Sequence, residues 1–338
     1  MYIEKKLINK YISYWLIAVF IAVSIMIVVG GLTRLTDSGL SITEWELFSG
    51  ILPPLNSSQW NDYFNLYKKI PEYQLQNNSM SLDEFKVIFW WEFIHRFLGR
   101  LIGILFLIPL LFFSFKLGLF ETMNFYFIFM LICLQGFIGW YMVSSGLVDK
   151  VDVSHYRLAL HLTLAFIILS LIFWNYLSYV NIEKLDHKIN NFLPYLFILL
   201  LFIQIIIGAF VSGMDAGKIY NSWPLMGSTY FPDDNKIINL FNLTAFGDPS
   251  LVQFMHRNLA YIILLLYLYI SFKVYRLKLT KYFKILKIVG SLLAIQILLG
   301  VFTLIYGAQI LLSSMHQVSS IFLVTSSVYY LYLNTKTN

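Results

Sequence analysis

Two stretches decide how this chain is read: WWEFIHRFLGR, Trp90 to Arg100, and LVQFMHRNLAY, Leu251 to Tyr261. Each lies in an otherwise apolar run of membrane-spanning length. The first nevertheless carries Glu92, His95, Arg96 and Arg100, and the second carries His256 and Arg257, with Gln253 where the first has its glutamate. Ionisable side chains are costly in hydrocarbon and mark a function or a specific partner when they occur there.

The rest of the chain makes the membrane setting firm. Of 338 residues, 59% are hydrophobic, 18% aromatic and only 12% charged, whereas soluble domains carry roughly a quarter charged residues. Apolar runs long enough to cross about 30 Å of hydrocarbon lie near 12–33, 87–114, 122–142, 156–180, 192–212, 250–272, 284–306 and 309–333. The expected fold is an all-α integral membrane protein with eight transmembrane helices. The N-terminal tail, the loops near 115–121, 181–191 and 273–287, and the C-terminal tail hold 13 Lys+Arg against 4 Asp+Glu, while the opposite side holds 8 against 13. The positive-inside rule then puts both termini in the cytoplasm. The net charge of +6 sits in loops at a lipid surface, so no nucleic-acid partner is implied. His187 falls in a cytoplasmic loop and reads as solvated.

The first apolar run is longer than a secretory h-region and lacks a small-x-small cleavage site, so it reads as a retained helix. No Arg/Ser-rich transit segment precedes it, which favours a bacterial inner membrane over an imported organellar protein. Cys133, the single cysteine, lies mid-helix and offers neither a disulfide nor a thiolate metal site. A small core residue is the expectation.

The chain is duplicated. EFIHR at Glu92 matches QFMHR at Gln253 with an offset of 161, and LQGFIGW around Gln135 and Gly139 meets IQILLGV around Gln296 and Gly300 at the same offset. Upstream, GGLTRLTDSGLSITEW aligns with GAFVSGMDAGKIYNSW, pairing Gly30, Asp37, Gly39 and Trp45 with Gly208, Asp215, Gly217 and Trp223 at an offset of 178. Two tandem four-helix bundles follow, residues 1–180 and 181–338, the first with the longer outer loop. An even number of helices per half gives both the same orientation, so matched residues lie at matched depth.

His95, His161, His256 and His316 each fall about two turns inside a span from the outer face, one in every second helix. Histidine pairs on facing helices of a bundle are how such cores build cofactor sites. Neutral imidazole pairs suit haem iron, whereas zinc takes a third or fourth ligand. His155, not His161, is the residue 161 positions before His316, and spacing alone leaves both open. Gly99, Gly103, Gly136, Gly139 and Gly300 lie near the ligands and suit either a flat guest or close helix packing. Arg96 and Arg257 follow their histidines and suit haem propionates, although Arg96 can equally pair with Glu92 one turn back.

Together GGLTRLTDSGLSITEW, EFKVIFWWEFIHRFLGRL, LQGFIGWYMVSSGL, YRLALHLTLA, GAFVSGMDAGKIYNSWP, VQFMHR and SSMHQ closely resemble the heme A synthase family, in its cysteine-poor branch of alphaproteobacteria and mitochondria. The resemblance runs from Gly30 to about Ser320. It implies an oxidoreductase that converts the C8 methyl of heme O to a formyl group, giving heme A for cytochrome oxidase. By resemblance, His95 and His161 hold the substrate haem in the N-terminal bundle, His256 and His316 hold a heme b cofactor in the C-terminal one, and Glu92 is catalytic. YRLALHLTLA places the family ligand on His161. Expected partners are heme O, an electron donor or acceptor, heme O synthase, oxidase assembly proteins and the lipid bilayer. The rival readings are a non-enzymatic di-haem cytochrome serving quinone and a haem carrier, neither of which needs a carboxylate in only one half.

Overall fold

The computed structural model describes residues 2–45, 49–148, 151–180, 182, 189–190 and 192–335. His187 and its expected solvation lie outside them. The described chain is helical: α1 Tyr2–Leu35, α2 Ser57–Tyr67, α3 Pro71–Leu75, α4 Leu82–Leu117, α5 Leu119–Gly146, α6 His155–Tyr179, α7 Phe192–Gly213, α8 Pro249–Arg276, α9 Phe283–Ile305 and α10 Ile310–Asn334, with short 3₁₀ turns between. Among the described residues there is no strand, only an isolated bridge between Met226 and Thr229.

Seven of these helices, α1 and α4 to α9, are long and apolar enough to cross a membrane. The chain is therefore a multi-pass membrane protein. The eighth expected span coincides with the 25-residue α10, which is not among the seven. It falls short of the others in hydropathy because His316, Gln317 and seven serines and threonines interrupt its apolar face.

The helix ends follow the local sequence. Ser81 and Glu84 form a reciprocal capping box at the start of α4, which satisfies amide donors that have no partner within the helix. Asp248 caps α8 by accepting from the Leu251 amide. Gly118 separates α4 from α5 at φ 89, a conformation that side chains with a β-carbon avoid. At 36 residues, α4 is about 54 Å long at 1.5 Å per residue. It is therefore longer than the roughly 30 Å of hydrocarbon it has to cross.

The first turns of α4 support the longer loop of the first half, which folds as α2 and α3. Phe64, Tyr67, Phe85 and Phe89 are all buried there, with the Phe64 and Phe85 rings stacked at 5.0 Å. Beneath them lies Glu72, 3% exposed. It accepts from the Tyr67 hydroxyl at 3.0 Å and from Asn77 Nδ2 at 3.4 Å. Burial pushes its carboxyl from an ordinary 4.5 up to about 8. This buried acid and the helices around it were not legible in the loop sequence.

The chain forms two compact units, Ile21–Ile168 and Met1–Phe20 with Leu169–Asn338. The first contains His95 and His161, the second His256 and His316. In the second, α7 packs on α8, α8 on α9, α9 on α10 and α10 back on α7, closing a ring of four helices. The end of this unit that holds the C-terminus of α10 is tied by Asn334, fully buried, which accepts from the Ile189 amide at 3.1 Å and the Tyr282 hydroxyl at 2.8 Å. In the first unit α4 packs on α5, and the Thr33 hydroxyl of α1 donates to the Trp91 carbonyl of α4 at 3.3 Å. Cys133, expected in the core, is exposed on α5. Its neighbours Leu134 and Phe137 are exposed too, as befits an outward-facing stripe in an apolar solvent.

Candidate functional site

Two histidine pairs form, one in each unit, with nearly the same geometry. The rings of His95 and His161 lie 6.4 Å apart, centroid to centroid, and are inclined at 61°. Those of His256 and His316 lie 6.4 Å apart at 75°. The spacing ambiguity is thereby resolved geometrically, since His161 faces His95. His155 begins α6 and lies beside Tyr156, with ring centroids 4.0 Å apart.

Each ring fits against a glycine of the preceding membrane helix: Gly30 against His95, Gly139 against His161, Gly208 against His256 and Gly300 against His316. A β-carbon at any of the four would lie 3.0 Å from a ring atom, closer than carbon tolerates without displacing the imidazole. The offset of 178 relates Gly30 to Gly208, and the offset of 161 relates His95 to His256 and Gly139 to Gly300, while His161 and His316 lie 155 apart. Of the glycines expected beside a guest, Gly139 and Gly300 thus touch the rings. Gly99 meets Met26, and Gly103 and Gly136 face open space.

One turn before three of these glycines stands a glutamine. Gln135 Nε2 donates to the His161 carbonyl at 3.0 Å. Gln204 Nε2 donates to the His256 carbonyl at 3.0 Å and lies 3.3 Å from His256 Nε2. Gln296 Nε2 lies 3.4 Å from His316 Nε2, while its oxygen accepts from Ser319. The sequence repeat contained these glutamines, but a polar residue one turn from a glycine gave no sign that it supports a histidine on the next helix.

The pairs suit a bis-imidazole iron centre. With metal–nitrogen bonds of about 2 Å and ring nitrogens roughly 1 Å from the ring centre, an ion held by both rings sets their centroids about 6 Å apart, as found. Nδ1 of His161, His256 and His316 is buried without a hydrogen-bond partner, which leaves ring nitrogen capacity unused. Among the described residues no three His, Cys, Asp or Glu side chains converge on a metal position. Zinc in a protein site needs three or four such ligands, whereas haem iron needs two axial ones.

Glu92 lies one turn before His95 on α4 and is 2% exposed. It accepts from the Ser41 hydroxyl at 2.7 Å, the Ile42 amide at 2.8 Å, and Arg96 through Nε at 3.0 Å and Nη2 at 2.5 Å. Arg96 also donates to the Ile42 and Glu44 carbonyls at 2.7 and 3.0 Å. In the second unit Arg257 donates to the Tyr220 and Ser222 carbonyls at 2.9 and 3.0 Å. Ile42 and Glu44 are the counterparts of Tyr220 and Ser222 at the offset of 178. Both arginines therefore hold the same two loop carbonyls in the two halves.

The central residue pair inverts polarity. Glu92 accepts from the Ile42 amide, whereas Gln253 Nε2 donates to the Tyr220 carbonyl at 3.1 Å. A carboxyl group held by Arg96 sits one turn from a histidine in the first unit, and an amide occupies the same place in the second. The two sites share a histidine and glycine frame and differ in this residue. Only the first has a group able to hold or move a proton beside its histidine.

Known relatives share this chain almost from end to end. It is 49% identical over 337 residues to the heme A synthase of Pelagibacter ubique, spanning 99% of this chain and all of that protein. It is 42% identical over 325 residues to the heme A synthase of Rickettsia bellii, spanning 94% and 96% of the two chains. The heme A synthase of Flavobacterium johnsoniae is 41% identical over 339 residues, spanning 97% and 99%. The family model described as COX15-CtaA, cytochrome oxidase assembly protein, matches residues 13–328, the whole stretch that carries the duplicated helices and all four paired histidines. The chain belongs to the COX15-CtaA family of cytochrome oxidase assembly proteins.

Proposed function

We propose that this protein is a heme A synthase, an oxidoreductase that converts the C8 methyl group of heme O to a formyl group. The reading rests on one observation above the others: two like histidine pairs, of which one alone has a buried carboxylate beside it. The naming of full-length relatives as heme A synthases supports it.

His95 and His161 are the ligands of the substrate haem, and His256 and His316 those of a resident heme b. Heme b supplies one-electron redox chemistry when bound. Turning a methyl into a formyl group consumes one water net and releases four protons and four electrons, most simply through the alcohol and then the aldehyde hydrate, which loses water. Glu92 takes protons as they leave the methyl carbon and its oxygen, Arg96 holds that carboxylate in place, and the loop pinned by both excludes bulk water. The electrons pass through the second unit to an external acceptor.

The wider assignment is two tandem four-helix bundles, 1–180 and 181–338, with eight spans in a bacterial inner membrane and both termini in the cytoplasm. Heme O synthase and oxidase assembly proteins are the expected neighbours. Co-expression with a source of heme O, followed by mass spectrometry of the extracted pigment, tests the function. Heme A or its alcohol precursor is expected. Heme O and heme b alone, recovered unchanged from folded protein, would favour a di-haem cytochrome or a carrier.

A further inference from the structure

The four glycine–histidine contacts are alike in three cases and different in one. At Gly139, Gly208 and Gly300 a β-carbon would meet Cε1 of the ring first, at 3.0 Å, and Nδ1 next, at 3.5 to 3.6 Å. At Gly30 it would meet Nε2 of His95 at 3.0 Å and Cδ2 at 3.4 Å. The His95 ring thus packs at the same distance, turned by a half-turn about its Cβ–Cγ bond that exchanges Nε2 with Cε1 and Cδ2 with Nδ1.

A second difference coincides with the first. The residue one turn before the glycine is Gln135, Gln204 or Gln296 in the three like cases, its amide on the backbone carbonyl of His161, on the carbonyl and ring of His256, and on the ring of His316 respectively. Before Gly30 it is Met26. A thioether has no N–H to donate, and the Met26 methyl instead lies 3.4 Å from where a Gly99 β-carbon would be. His95 therefore lacks the carboxamide that braces the other three.

We propose that His95 is the exchangeable member of the four haem ligands and that Met26 is the positioning residue that makes it so. The inference rests on the haem assignment above and explains why one of two near-identical sites passes its haem on. In the second unit both histidines are braced by glutamine, as suits a resident group. In the first only His161 is. Groups one shell out from a ligand set its orientation and hold on the metal, so the unbraced side is where an axial position opens. It opens on α4, the helix that carries Glu92 one turn away. Ligand exchange and proton handling are thereby placed side by side.

The test uses the detergent-purified, haem-loaded protein in its ferrous form with carbon monoxide as the probe, since it binds only where an axial ligand yields. Haem type is identified first by mass spectrometry, so that a wrong substrate assignment shows itself independently of ligand lability. In wild type, carbon monoxide is expected at the first-unit haem and not at the second. Met26→Gln should slow that binding by about two- to tenfold, the effect of one added hydrogen bond, and sharpen the low-spin spectrum. Met26→Leu should behave as wild type. Gln204→Met, the converse change, should make the second-unit haem reactive, which keeps the test decisive even if Met26→Gln does not fold. Unaltered binding in both Met26→Gln and Gln204→Met, or equal reactivity of both haems in wild type, would overturn the proposal.

Discussion

Replacing Glu92 by glutamine removes one charge and turns one acceptor into a donor. The carboxylate receives four donors, two on each oxygen: Ser41 Oγ and the Ile42 amide on one, Arg96 Nε and Nη2 on the other. A carboxamide can satisfy only one of these pairs, because its NH2 faces donors on the other side. Each hydrogen bond to a charged group contributes about 1.5–3 kcal/mol, so two lost bonds loosen the 36–45 loop by something on the order of 3–6 kcal/mol. Gln253 escapes this conflict because it faces the Tyr220 carbonyl. The chemical loss is separate, since a positioned acid or base typically contributes about 10² to 10⁴ in rate. Heme A output from Glu92→Gln should therefore fall at least about a hundredfold, with the His256/His316 haem spectrum unchanged and cleavage in the 36–45 loop faster under limited proteolysis. Ser41→Ala supplies the control, because it removes one bond to the carboxylate and keeps the charge. It removes one bond of about 1.5–3 kcal/mol, against two bonds and the charge in Glu92→Gln, and should cost less heme A output than Glu92→Gln does. Near-normal heme A formation in Glu92→Gln, or an equal loss in Ser41→Ala, would reduce Glu92 to a staple for the loop.

Three further outcomes are expected. Gly208→Val drives carbon into the His256 ring, already 3.0 Å from a β-carbon there, and should lose the second-unit haem by absorption spectroscopy, whereas Gly103→Ala, which meets nothing within 4 Å, should keep both. Glu72 has a folded pKa raised from 4.5 to about 8, so the stability it contributes is complete below pH 4.5 and is lost progressively as pH rises to about 8; hydrogen exchange over 56–80 should accelerate across that window, and Glu72→Gln should flatten the trend. In a Cys133→Ala background, cysteines at Asp62 and Asp233 should react with an impermeant maleimide only from the outside and one at Lys278 only from the cytoplasm; a cysteine at 233 labelled from the cytoplasm alone would invert the topology.

The helices were legible because hydrocarbon imposes a length and a composition on any segment that crosses it. α10 is the instructive exception: its polar residues, His316 among them, lower its hydropathy, so the expected eighth span stands out least. The paired histidines were legible through the duplication, which turns one ambiguous imidazole into a pattern. What escaped was the support around them. That Gly30 and Gly208 press on rings 65 and 48 positions later in the chain depends on helix rotation, which apolar sequence hardly encodes. The grip of the arginines on the loop was equally hidden: both guanidinium groups donate to loop carbonyls, and backbone acceptors leave no mark in a sequence. The outer helices α2 and α3 owe their form to aromatic packing on α4, which no local periodicity announced.

The division of labour between the two histidine pairs is tested most directly by four single variants measured side by side for bound haem and for product. His256→Ala and His316→Ala are expected to lose the resident low-spin heme b or turn it high-spin. His95→Ala and His161→Ala are expected to keep that signal unchanged while heme A formation stops. Loss of one and the same haem in all four variants would contradict the account, because it would mean that the two pairs do not serve separate sites.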